Sequence, residues 1–302
     1  MTPAPWLVSF ASYLGQVTLH SVVMGVIFYA WAHRIRLPSG RTKRHLLALL
    51  LVLPPITAAI PGRATVEFGE RLAWLNSARL LAVPLPGGLH LTHLLLAIAA
   101  VFAALTIWQE VIPSFERVDR SAAAAPASLT ALARALPGWE HCVVLTSPGE
   151  AVMLVTTGVP GRPRLVISRG ALRTLTGPQL DVAMRHEHAH WIGGRWWWSH
   201  ALFGIRLLQS GNPVALWVFR EYCLEIEIDC DAIAATGPDV AVLARVLLTV
   251  YQDTGPRDIA TRQALRRRVD VLLGGGPANA ALPAFTVLAA SGVMLVVLPW
   301  LV

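Results

Sequence analysis

Apolar residues dominate four stretches of the chain and give way to mixed texture between them. The first runs from Trp6 to Trp31, broken by Gln16, His20 and a few hydroxyl residues. It exceeds the roughly 20 residues that a helix needs to cross hydrocarbon. Leu46–Ile60 is shorter and contains Pro54-Pro55; it reads as a span because neighbouring helices can satisfy the backbone groups that proline frees. A third span is expected from Leu89 to Trp108 and a fourth from Leu282 to Val302. The stretch Leu72–Leu85, with Trp74 and Arg79, is amphipathic and suits an interfacial position.

The polar texture is concentrated between the third and fourth runs. A helix pattern (Leu129, Leu132, Ala133, Leu136) stops at Pro137-Gly138. Strand-like runs follow at Cys142–Thr146, Ala151–Thr157 and Arg164–Ser168, with Gly158–Pro163 as a turn, and helical texture resumes at Leu172. The expected organisation is three spans in residues 1–112, an α/β domain in 113–275, and a last span in 276–302.

Composition agrees with this division. The chain is 55% hydrophobic and 14% charged, against about 25% charged in a typical soluble domain. The net charge of +7 is almost all arginine, Lys43 being the single lysine. These charges lie beside apolar runs, where they set topology, so direct binding of nucleic acid is not expected. Residues 33–45 carry Arg34, Arg36, Arg41, Lys43 and Arg44 without an acid, which marks that loop as cytoplasmic. By alternation the N-terminus and the 62–88 loop are outside, and the 113–275 domain is cytoplasmic in a multi-pass membrane protein. No basic residue precedes the first run, so a cleaved signal peptide is not expected. Three cysteines (Cys142, Cys223, Cys230) are too few and too scattered for a disulfide framework.

The chemistry is carried by Leu180–Trp191, LDVAMRHEHAHW. Within it His186-Glu187-His188-Ala189-His190 is an H-E-x-x-H motif. Two histidines four apart share one helix face and can grip one cation, and the glutamate beside the first is placed to take a proton from water. His188 points about 200° from His186 and is not expected to be a ligand. The pattern with a third histidine after Gly193 fails, because that place is held by Trp196. A carboxylate from Glu221–Ala235, EYCLEIEIDCDAIAA, is the remaining source. Helical geometry puts Glu227 and Asp231 on a face shared with Cys223, Leu224, Cys230 and Ala234. Glu225 and Asp229 lie on the opposite face, which reads as solvated. The expected ligands of a zinc ion are therefore His186, His190 and Glu227, with Glu187 as base and Asp231 hydrogen-bonded behind a ligand histidine. Val152, Leu154 and Thr156 alternate along one strand and are candidates to pair with an extended peptide.

These linked motifs resemble the BlaR/MecR-type antirepressor metallopeptidases. The resemblance rests on H-E-x-x-H, 36 intervening residues and E-x-x-C-D at Glu227–Asp231, with Asn212-Pro213 and Ala215-Leu216-Trp217 between them. The Val152–Ile167 strand and turn and the three-plus-one layout of spans add to it. It implies a four-span membrane protein with an inserted α/β gluzincin-type domain that uses zinc to cleave a peptide or protein. A cytoplasmic repressor, or the protease itself, would be the substrate. Sensor members of that family carry a penicillin-binding domain after the fourth span; the sequence ends at Val302, and a β-lactam receptor role is not expected. The other expected partners are the lipid bilayer and a second copy of the chain. Two alternatives stay open: a quality-control protease of the HtpX/CAAX type, and a sensor with a structural metal and no turnover. Trp196-Trp197-Trp198 suits either the bilayer surface or a core.

Overall fold

The computed structural model describes residues 4–34, 37, 39–59, 83–111, 122–159, 161–192, 195–254 and 259–274. Ten helices longer than one turn and one four-stranded mixed sheet occur among them. The fourth expected span, most of the 62–88 loop and Gly193 lie outside the described residues. The described residues fall into two compact units: residues 4–111 with 200–222, and residues 122–199 with 223–274.

In the first unit α1 spans Pro5–Arg34, α2 Arg41–Ala59 and α3 Leu91–Thr106, which runs on through a π turn at Ile107–Val111. Residues 6–34 and 91–109 are each long and apolar enough to cross a membrane. Only 6% of the most apolar α3 window is buried, so its apolar side chains face outward. Several polar groups among these apolar helices find partners, as burial away from water favours. His20 Nδ1 meets Thr57 Oγ1 at 2.7 Å, and the Tyr13 hydroxyl donates to Pro55 O at 3.2 Å. Asn212 donates to Ser21 Oγ (2.9 Å), Gln209 to Leu51 O (2.9 Å), and Lys43 Nζ reaches Glu221 at 3.3 Å.

The second unit begins with β1 (Ala123–Ala124), α4 (Ala127–Arg134), β2 (Val143–Ser147), β3 (Leu154–Val159) and β4 (Arg162–Ser168). The sheet order is β1-β2-β4-β3: β2 and β4 are parallel, and β3 lies antiparallel on β4 at an edge. β4 carries the apolar run Leu165-Val166-Ile167, all at most 1% exposed, as an inner strand requires. Gly158 has φ +117°, and a Cβ there would stand 2.3 Å from Arg162 O, so only glycine fits next to the β3–β4 connection. Short α5 (Arg169–Thr174) is capped by the Ser168 hydroxyl.

The next helix, α6, covers Gly177–Trp191. Its start is written locally: Thr176 is the N-cap, Gln179 Oε1 accepts from Thr176 N at 2.9 Å, and proline occupies the first turn. Then come α7 (Arg195–Leu208), α8 (Pro213–Ala234), α9 (Asp239–Thr254) and α10 (Ile259–Leu273). Asn212 caps α8, its Oδ1 accepting from Val214 and Ala215 N. Leu180, Ala183 and Met184 of α6 join Trp139, Leu165, Ile167 and Leu243 in the core of this unit. That packing leaves the opposite face of α6 to His186 and His190.

Candidate metal centre

His186 and His190 project from one face of α6 toward Glu227 of α8. His186 Nε2 lies 3.1 Å from His190 Nε2, 3.4 Å separates it from Glu227 Oε2, and His190 Nε2 is 3.4 Å from Glu227 Oε1. Ligand atoms about 2.0–2.2 Å from one ion at tetrahedral angles stand roughly 3.3 Å apart. The three groups, each offering one atom within 4.8 Å of the others, lie close enough together that they could hold one cation.

Behind this triad the partners are fixed. His186 Nδ1 stands 2.9 Å from Asp231 Oδ1. Asp231, 2% exposed, also takes a two-pronged contact from Arg268 of α10, Nε to Oδ2 at 2.8 Å and Nη2 to Oδ1 at 2.7 Å. Arg268 Nη1 reaches Glu227 Oε2 at 2.9 Å. His190 Nδ1 meets Cys230 Sγ at 3.5 Å. His188 turns away, as expected from its helical position: its Nε2 lies 2.7 Å from Pro137 O and its ring meets Trp139 edge-on at 5.1 Å.

The electrostatics follow from this crowding. Burial works against the Glu227 carboxylate, but Arg268 and hydrogen bonds from both imidazoles hold it well below the usual carboxylate range. Burial likewise opposes ionised Asp231; Arg268 and then His186 outweigh it and lower its pKa. Burial pulls the imidazolium of His186 down, yet Asp231 and Glu227 together raise its pKa to about 9. For His190 burial again opposes the charge, and Cys230 and Glu227 lift it to about 11. Arg268 is driven further toward the charged form by Glu227 and Asp231 despite its burial. Neutral imidazole and carboxylate are the forms that bind a cation, so a cation competes here with protons.

Glu187 sits beside the triad and is tied to the sheet: Oε2 accepts from Thr156 N at 2.8 Å, and the Thr156 hydroxyl donates to Glu187 O at 3.4 Å. In the antiparallel β3–β4 register Met153 faces Ser168 and accepts its N–H (2.9 Å). Alternation then turns the backbone groups of Leu154 and Thr156 to the free edge. Val152 does not share that edge. It precedes β3, its side chain is 2% exposed in the core, and its N–H is bound by Asp253 at 2.5 Å, because the chain turns into the strand only at Leu154.

Two residues depart from the sequence reading. Glu225, read as solvated, is 0% exposed and paired with Arg267 Nη2 at 2.8 Å; an arginine from a distant helix covers a face that composition marks as polar. Arg268 is an anchor of the site that local pattern does not mark. Its one sequence signal is its place in an Arg266-Arg267-Arg268 run on an amphipathic helix. Trp197 and Trp198 are exposed at 63% and 64%, which removes the core alternative for these two. No protein-family model matches the chain, and no curated protein sequence matches it.

Proposed function

We propose that the chain is a membrane-bound zinc metalloendopeptidase that acts on a peptide or protein substrate, with a cytoplasmic repressor as the substrate suggested by the BlaR/MecR-type resemblance. The observation that carries this reading is the convergence of His186, His190 and Glu227 on one point with Glu187 beside it. Two nitrogens, one carboxylate and a remaining open position form the donor set of catalytic zinc. A zinc ion held there would supply Lewis acidity, lowering the pKa of water and polarising a peptide carbonyl.

The rest is the work of the chain's own groups. Glu187, with Oε2 held by Thr156 N–H, has Oε1 for the proton of the attacking water, and passes that proton to the leaving amine. Asp231 orients His186. The outer edge of β3, at Leu154 and the carbonyl of Thr156 (its N–H being held by Glu187), receives an extended substrate as an added strand, which puts its backbone alongside Glu187. A membrane location draws on the two helices long and apolar enough to cross a bilayer; the multi-pass layout and the cytoplasmic side of the domain are read from the apolar runs and the arginine-rich 33–45 loop of the sequence.

The test is hydrolysis of a quenched peptide library by the purified full-length protein and by Glu187→Gln. Loss of about 10²–10⁴-fold in rate with metal retained is the expected outcome. Equal turnover by both proteins removes Glu187 as the base, and a metal-binding wild type without turnover favours a structural metal.

A further inference from the structure

The two imidazoles of the site are held from the rear by consecutive residues of one helix. Asp231 stands behind His186 Nδ1 at 2.9 Å, and Cys230 stands behind His190 Nδ1, with Sγ 3.5 Å away. Both rings thereby turn Nε2 toward Glu227. A neutral imidazole carries one N–H, and the hydrogen bond made by that N–H decides which nitrogen keeps a lone pair for a cation. For His186 the partner is a carboxylate, the usual choice behind a metal-binding histidine. For His190 it is a thiol. Cys230 is 0% exposed, so in the intact protein the sulfur is shielded from solvent.

We infer that Cys230 is a positioning residue for His190: its sulfur accepts the Nδ1–H bond that fixes the ring's tautomer and leaves Nε2 free for the cation. The inference rests on the metal reading above. The asymmetry has a physical consequence. A thiol is a weaker acceptor than a carboxylate, so His190 is the less firmly oriented of the two rings, and its hold on the cation depends on one sulfur contact. A cysteine conserved in volume but not in polarity would not do this. Substitutions that keep or remove the acceptor at this position distinguish an acceptor from a filler.

Cobalt(II) titration of the purified full-length protein, followed by visible absorption, tests it with Cys230→Ser, Cys230→Ala and Cys230→Val. Serine keeps an acceptor, so Cys230→Ser is expected to bind within a few-fold of wild type. Alanine and valine remove it, and both are expected to bind about 10–100-fold more weakly. Nitrogen-15 histidine spectra of the same proteins should show Nδ1–H at His190 in wild type and Cys230→Ser, and a tautomer mixture in Cys230→Val. If Cys230→Ala does not fold, the serine and valine proteins carry the comparison. A packing role gives the reverse order, with valine and alanine tolerated and the buried hydroxyl worst, and overturns the inference. An intense near-ultraviolet thiolate-to-cobalt band that disappears in Cys230→Ser makes the cysteine a ligand and also overturns it. A wild type that binds no cobalt removes the metal reading itself.

Discussion

Replacing Asp231 with alanine should weaken metal binding by an amount that depends on pH. Two effects of opposite sign meet at this residue. The first is loss of the carboxylate 2.9 Å behind His186 Nδ1. Losing such a partner costs about 10–100-fold in affinity, or about 1.4–2.7 kcal/mol. The second is relief from protons. Asp231 and Glu227 raise the pKa of His186 to about 9, so at pH 7 a cation must displace a proton two units below its midpoint, at about 2.7 kcal/mol. Without Asp231 part of that cost disappears. At pH 7 the two effects oppose each other. Above about 9 the ring is neutral in the wild type, and the loss of orientation acts alone. The gap between wild type and Asp231→Ala is therefore expected to widen as pH rises from 7 to 9.5, a pH just past that midpoint. Competition with a chelating fluorophore of known affinity, in metal-buffered detergent solution at several pH values, measures it. A gap that narrows with rising pH, or equal affinities throughout, would refute the reasoning.

Other consequences follow from the same contacts. Arg267→Met removes the guanidinium 2.8 Å from the fully buried Glu225 and should destabilise the protein by up to about 3–5 kcal/mol, seen as faster thermal inactivation. Adding Glu225→Gln should restore most of it, and a double variant as labile as the single one counts against the pair. Glu225→Ala should keep its metal while Glu227→Ala loses it; the opposite pattern moves the ligand by two residues. Single cysteines placed at 41 and 67 test orientation in whole cells, where an impermeant maleimide should label 67 and not 41. Labelling at 41 would put the metal centre outside the cytoplasm.

Local information made much of the second unit legible. Spacing alone placed His186 and His190 on one face, because residues four apart on a helix must be neighbours. Thr176 with Gln179 marked the start of that helix. The three strand-like runs correspond to β2, β3 and β4, with ends shifted by a few residues. What was not legible depends on distant segments. Arg267 and Arg268 lie about 40 residues from their carboxylates, and nothing in local pattern pairs them. Composition marks the Glu227 face as the buried one, yet with the arginines in place Glu225 is the fully enclosed carboxylate, while the Glu227 side chain is 33% exposed beside the histidines. The alternation that joined Val152 to Leu154 and Thr156 could not register that the backbone reaches β4 only at Leu154.

The most direct test of the central claim is the metal content of the purified full-length protein and four variants by elemental mass spectrometry. About one zinc per chain is predicted for the wild type and for Glu187→Gln, and little for His186→Ala, His190→Ala and Glu227→Ala. Zinc retained by all three ligand variants, or absent from the wild type after zinc-replete expression, would contradict the account.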